Sequence, residues 1–272
     1  MQVLTSHRPA GIALACGCCL LLVSGCQSNL GQTPARQVRV LAAASTASAM
    51  EEIAEQFQQR HPGISIIIST GPSNGLTQQI LAGAPADIFL PAHRQWAELL
   101  DAEGLSSRTV DLLSNHLVLI VPRGNPAQVQ LPGDLLTDAV TKLVIAGEHV
   151  PAGIYAEQTL NALQLFAPLQ SEGKLARGSD VRTTLIFVEV AEAEAGIVYA
   201  TDAQRSDLVE VVATFDPLTY ETVVYPAILL QAGDASPQAR QFFDYLISSA
   251  GIDIFTQHGF ASLDSKQLPH PP

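Results

Sequence analysis

Residues 38–57 read VRVLAAASTASAMEEIAEQF, and the order of residue types within them sets the architecture. Val38 to Ala42 is a short apolar run of the length of a buried strand. From Ala47 the spacing changes: Met50, Ile53, Ala54 and Phe57 recur at intervals of three and four, the period of a helix from Ala47 to Arg60 with one buried face. Between the two stand Ser45 and Thr46, with neither the glycines of a nucleotide loop nor a lysine. A turn built from small hydroxyl residues is suited to holding something small.

The same alternation continues outward from this unit. Strand-like runs at Ile64 to Ser69, Ile88 to Leu90, Leu117 to Val121, Leu143 to Ala146, Ile197 to Tyr199, Val209 to Ala213 and Val223 to Leu230 are separated by helical patterns. Strands that alternate with helices need crossover connections, which predicts an α/β fold with largely parallel sheets. Pro122 and Pro226 interrupt two of the runs, and proline in a strand marks an edge, an end or a bend. On pattern alone they fit two edge strands of one sheet or two passages of the chain between lobes.

Composition bounds the function. The chain has 272 residues, 47% of them hydrophobic, enough for one large domain or two modest ones with real cores. Its 14 basic against 26 acidic residues give a formal charge of −12, which argues against electrostatic binding of nucleic acid or of an anionic membrane surface. No P-loop occurs, so any ATP-driven process must use another subunit's ATPase.

The first 26 residues form a separate region. An apolar stretch from Gly11 to Val23 is too short to span a membrane and has the character of a signal-peptide core. Its ending, Leu22-Val23-Ser24-Gly25-Cys26, resembles the lipobox of bacterial lipoproteins, which implies lipidation at Cys26 and a protein exported and anchored on the periplasmic or extracellular side. Residues 27–37 are polar and are expected to form a tether, and residues 265–272 a mobile tail. All four cysteines (Cys16, Cys18, Cys19, Cys26) lie in the leader, so the body has no disulfide, thiolate metal site or cysteine nucleophile.

Four predicted helix starts share one style. Ser45-Thr46 precedes the helix from Ala47, Ser73-Asn74-Gly75 one from Leu76 to Ala82, Pro151-Ala152-Gly153 one from Ile154 to Phe166, and Ser179-Asp180 one from Val181 to Glu194. The first N–H groups of a helix lack partners within it and carry the positive end of its dipole, so several starts meeting at one point form an anion site without a charged side chain. Taken singly, each start is better read as a cap, a role worth about 0.5–2 kcal/mol. Spacing alone does not say whether the four ends meet.

HVPAGIYAEQTL at 149–160, GAPADIF at 83–89, AAAS at 42–45, GIVY at 196–199 and VVATF at 211–215 keep one order along the chain. Together they resemble the molybdate-binding proteins of bacterial ABC importers over residues 38 to about 260. The resemblance implies a type II periplasmic-binding-protein fold, two lobes that each carry a mainly parallel sheet flanked by helices, closing on a tetrahedral oxyanion. It implies lobe 1 over 38–120 and 226–264 and lobe 2 over 121–225, with chain crossings near Val121 and Tyr225. By position it implies hydroxyl donors at Ser45, Ser73 and Tyr199 and backbone donors at Ala152 and Val181. It further implies molybdate or tungstate as ligand, no cofactor, a permease with its ATPase as partners, a monomer, and no enzymatic activity. The alternative ligand is another tetrahedral oxyanion such as sulfate, selected against by cavity size. Thr46 stands where the family often has leucine, and GPSNG at 71–75 where a run of serines is common. Arg182, beside Val181, is expected to face solvent or the lobe interface rather than the ligand.

Competing chemistry is weaker. GPSNG fits G-x-S-x-G after a strand and before a helix, which raises a serine hydrolase using Ser73 with Asp202 or Asp216 and His258. Before the strand that leads into Ser73 the body has only one strand and one helix, too few for that fold. Glu148-His149 lacks a second histidine at helical spacing, so a loop brace is the plainer reading than a metal site. Asp87 is better read as an acid capping a turn at the head of a strand, and Trp96 with Leu99 and Leu100 as core packing.

Overall fold

A computed structural model of the protein describes residues 36–263. The leader with Cys26, nearly all of the tether and the tail 265–272 lie outside the described residues; residues 36 and 37, read as tether, already belong to the first strand. In chain order the strands are β1 (Arg36–Ala43), β2 (Ile64–Gly71), β3 (Ile88–Leu90), β4 (Ser106–Ser114), β5 (Leu117–Pro122), β6 (Leu143–Ala146), β7 (Leu175–Gly178), β8 (Ala195–Tyr199), β9 (Val209–Thr214), β10 (Tyr225–Leu230) and β11 (Ala261–Ser262). The helices are α1 (Ala47–Arg60), α2 (Ser73–Leu81), α3 (Arg94–Ala102), α4 (Pro151–Ala162), α5 (Phe166–Ser171), α6 (Val181–Glu189), α7 (Ala200–Ala203), α8 (Gln231–Asp234), α9 (Pro237–Leu246) and α10 (Ser249–Gln257).

The strands form two sheets, ordered β11-β4-β10-β3-β1-β2 and β7-β6-β8-β5-β9, each flanked by helices, which makes a two-lobed α/β fold. Both sheets are mixed. β1 pairs in parallel with β2 and β3, and β6 with β7 and β8. β10 runs antiparallel to β3 and β4, and β5 to β8 and β9.

The first passage between the sheets lies at Asn115 and His116, between β4 and β5. Lobe 1 therefore stops short of residue 120, and the crossing precedes the position near Val121 that the resemblance implies. The reason is that LVLIVP at 117–122 is buried throughout and pairs on both sides, with β8 and β9, inside the second sheet. The chain returns between Thr214 and Tyr225. Pro122 ends a central strand and Pro226 sits at a register shift in β10, between β3 and β4, so the prolines mark an end and a bulge and not two edges.

Packing follows the alternation seen in residues 38–57. Val38, Val40 and Ala42 are buried with Met50, Ile53 and Phe57 of α1, and the Phe57 ring meets Phe242 of α9 edge-on at 5.0 Å between centroids. Leu41 points to the other face, among Leu76 and Ile80 of α2 and Leu100 of α3, with Trp96 packed partly buried against the same cluster. A sheet covered on both faces explains the near-continuous apolar strands. Each fully buried Leu, Ile or Phe contributes roughly 1.5–3 kcal/mol.

Candidate oxyanion site

β1, β2, β6 and β7 each run out at their carboxyl ends into a helix start, and the four starts line one cavity. Open α/β sheets bind ligands at that end of their strands. Lobe 1 contributes Ser45, in the short 3-10 turn before α1, and Ser73, the first residue of α2. Lobe 2 contributes Ala152, in the first turn of α4 behind Pro151, and Val181, which opens α6. Tyr199, at the end of β8, completes the wall. All five residues singled out in the sequence are thus brought together around a small cavity of about 10 Å³, about the space one water needs. Two helices begin earlier than their patterns predict, α2 at Ser73 and α4 at Pro151, which moves Ser73 and Ala152 into the first turns. Proline suits that position because its missing N–H would have had no helical partner.

The HVPAG segment must hold glycine at 153. A Cβ there would overlap the backbone carbonyl oxygens of Ala146 and Gly147, so α4 approaches the end of β6 closely enough to exclude any side chain. Ala152, in that first turn, has no partner for its N–H within the helix.

The hydroxyls of the wall have few partners in the protein among the described residues. Ser73 Oγ accepts the Ala92 N–H at 3.0 Å, which leaves its own proton free. Ser45 Oγ lies 3.1 Å from the Tyr225 hydroxyl. The Tyr199 hydroxyl is buried and has no hydrogen-bond partner among the described residues. Burial pushes its phenol well above the usual range, with Tyr225, Tyr155 and Asp202 adding to the effect, so it remains a donor at neutral pH. An unpaired buried hydroxyl costs about 1–3 kcal/mol, a cost that a bound acceptor removes.

Among the described residues, no lysine or arginine lines the cavity. The Arg182 guanidinium instead reaches toward Asp202, with Nη1 3.7 Å from Oδ1, too long for a hydrogen bond. Asp202 is fully buried, and burial pushes its carboxyl up to about 7 against the opposing pull of Arg182 and Arg205. The one carboxylate at the rim, Asp180, is turned into its own helix and accepts the Thr183 N–H at 2.7 Å.

The hydrolase constellation does not assemble. His258 Nε2 lies 2.8 Å from Glu52, Asp216 caps a short turn through the Leu218 N–H, and Asp202 faces Arg182. Glu148 and His149 are both exposed, 3.7 Å apart, and no group of three or more potential metal ligands occurs among the described residues. Asp87 accepts the Arg39 N–H at 2.7 Å and ties the head of β3 to β1. The sequence reading missed Ala92, Asn115 and Tyr225. Ala92 carried a signal, since Pro91-Ala92 after β3 is a fifth strand-to-helix turn of the same small-residue kind.

Residues 38–261 match the family model described as bacterial extracellular solute-binding protein. The chain belongs to that family. As a solute-binding protein it is not an enzyme. It is 38% identical over 233 residues to the molybdate-binding protein ModA of Escherichia coli, covering 82% of this chain and 88% of that one. It is 32% identical over 249 residues to the putative ABC transporter substrate-binding lipoprotein YvgL of Bacillus subtilis, covering 89% and 94%. Among solved structures this solute-binding protein is similar to the periplasmic molybdate-binding protein of Azotobacter vinelandii, with a TM-score of 0.73 at 21% identity over 84% of this chain and 100% of the other, a likeness of fold.

Proposed function

We propose that the protein is an exported receptor that captures molybdate, and tungstate with it, between its two lobes and hands the ion to an ABC permease and its ATPase. The observation that carries this reading is the convergence of helix starts from both sheets, with the unpartnered Tyr199 hydroxyl, on one cavity free of cationic side chains. Ser45, Ser73 and Tyr199 would donate hydroxyl protons and Ala152 and Val181 backbone N–H groups to the oxygens of one tetrahedral dianion. Hydrogen bonds to a charged group contribute about 1.5–3 kcal/mol each, so five together offset much of the cost of dehydrating the ion. Donors from both lobes meet the same ion only when the lobes are closed, so binding favours closure. Selection against sulfate would rest on cavity size, because the molybdenum-to-oxygen bond is longer than sulfur-to-oxygen. A relative of similar length named as a lipoprotein supports the reading of Cys26 as the lipidated residue that anchors the receptor.

The test is a thermal-shift panel of molybdate, tungstate, sulfate, phosphate and chromate. A ligand at one hundred times its Kd stabilises the folded state by about 2.7 kcal/mol, roughly 5–10 °C for a chain of this size. Molybdate and tungstate should shift the midpoint by that amount and sulfate and phosphate by far less. A larger shift with sulfate or phosphate would overturn the assignment.

A further inference from the structure

Ser45 Oγ and the Tyr225 hydroxyl are 3.1 Å apart, and either oxygen could be the donor. Which one donates decides what Ser45 can offer the cavity, and the partners behind Tyr225 answer it. Asn115 Oδ1 accepts the backbone N–H of His116 at 2.9 Å, a group that can only donate. The amide nitrogen of Asn115 is therefore the end that faces Thr201 Oγ1 at 2.8 Å and the Tyr225 hydroxyl at 3.3 Å. An NH₂ group has no acceptor to give, so Tyr225 accepts from Asn115, and with the Tyr199 hydroxyl outside hydrogen-bond geometry its single proton is left for Ser45. Burial holds the Tyr225 phenol well above its usual range, so that proton stays in place. Ser45 then accepts from Tyr225. Its own proton has no other partner among the described residues and is left for the guest.

We infer that Asn115, at the first chain crossing, is a positioning residue that fixes the direction of the hydrogen bonds Asn115 to Tyr225 to Ser45, so that the lobe 1 wall presents protons and selects oxyanions that carry none. Asn115, Thr201, Tyr225 and Ser45 are all buried, so water does not compete for these bonds. Ser73 reaches the same polarity by a shorter route, through the Ala92 N–H. A guest bearing its own O–H would set proton against proton at both serines. This inference rests on the oxyanion reading of the site and adds to it the reason for rejecting protonated anions of equal charge.

The experiment compares molybdate with hydrogen arsenate by calorimetry at mildly alkaline pH, where both are tetrahedral dianions and only the second holds a proton. Wild type, Asn115→Asp and Tyr225→Phe are measured, with the melting point of each unliganded protein as a check on folding. Asn115→Asp turns a donor into an acceptor, so Tyr225 donates to it, Ser45 donates to Tyr225, and a Ser45 lone pair faces the cavity. The added charge weakens both dianions alike, so the ratio of their affinities reports polarity alone. Tyr225→Phe frees the Ser45 hydroxyl to turn without adding charge. The expected result is a molybdate to hydrogen arsenate ratio at least about tenfold lower in both variants, the equivalent of one hydrogen bond reversed. Parallel loss of both affinities at an unchanged ratio would make Asn115 a brace only and overturn the inference while leaving the oxyanion site in place. A wild type that binds neither anion would overturn both.

Discussion

In both sheets the parallel strands, β1 with β2 and β6 with β7 and β8, run out into the turns that line the cavity, whereas the antiparallel strands β4, β5, β9 and β10 border the two chain crossings. The difference teaches how one chain separates holding from moving. A parallel strand followed by a helix delivers an unpaired N–H end at a fixed place. An antiparallel strand instead lets the chain pass from one sheet to the other and back through two neighbouring links. The Asn115–Tyr225–Ser45 hydrogen bonds are where the two parts meet, joining both crossings to a wall of the cavity.

The comparison breaks most visibly if a donor from the parallel part is removed without disturbing its helix. Val181→Pro does this, because Asp180 before it is extended and proline is favoured as the first helical residue. The variant loses one N–H and places a ring carbon against the guest. Calorimetry should show molybdate affinity lowered by at least about 100-fold, with the unliganded melting point within a few degrees of wild type. Retained affinity would remove α6 from the site.

A smaller loss is expected from Tyr199→Phe, and here stability and affinity should move apart. The hydroxyl has no partner among the described residues, so its removal is expected to leave the unliganded fold as stable or slightly more so, while molybdate affinity falls about 10- to 100-fold. Chemical unfolding and calorimetry on the same preparation check both signs. A variant that loses stability and keeps affinity would mark the hydroxyl as structural.

The smallest effect on binding is expected at Asp202, behind the donors and outside the lining of the cavity. Its carboxyl titrates at about 7 in the folded protein, against about 3.9 in an unfolded chain. The folded state holds the extra proton between those values, so the stability Asp202 contributes is full below about pH 4 and is lost as pH rises to about 7, by up to about 1.4 kcal/mol per unit. Asp202→Asn removes that slope. Urea unfolding should show the variant gaining on wild type from pH 4 to 7 and the difference level above, with molybdate affinity within a few-fold. An unchanged pH dependence would contradict the burial argument.

Most strands were legible in the sequence as apolar runs, antiparallel β5, β9 and β10 as much as parallel β1, β2, β3, β6 and β8, and the five residues that the resemblance implies as donors sit where strands give way to helices. β4 was not: SSRTVDLLS opens with exposed residues, and Arg108 and Asp111 break its alternation. β7 is four residues long and carries an arginine, too short for a pattern. The first crossing near Val121 came from the resemblance, and the uniformly apolar run at 117–122 does not itself say which sheet it joins. The direction of the Ser45 hydrogen bond was beyond the sequence altogether, because Asn115 and Tyr225 lie 70 and 180 positions away from it.

The central claim is that neutral donors from both lobes surround one oxyanion. A crystal of the molybdate complex, with the metal located by its anomalous scattering, tests it directly. A single molybdenum is expected with its oxygens within hydrogen-bond reach of the Ser45, Ser73 and Tyr199 hydroxyls and the Ala152 and Val181 N–H groups. A molybdenum elsewhere, or one held by the Arg182 guanidinium, would contradict the account.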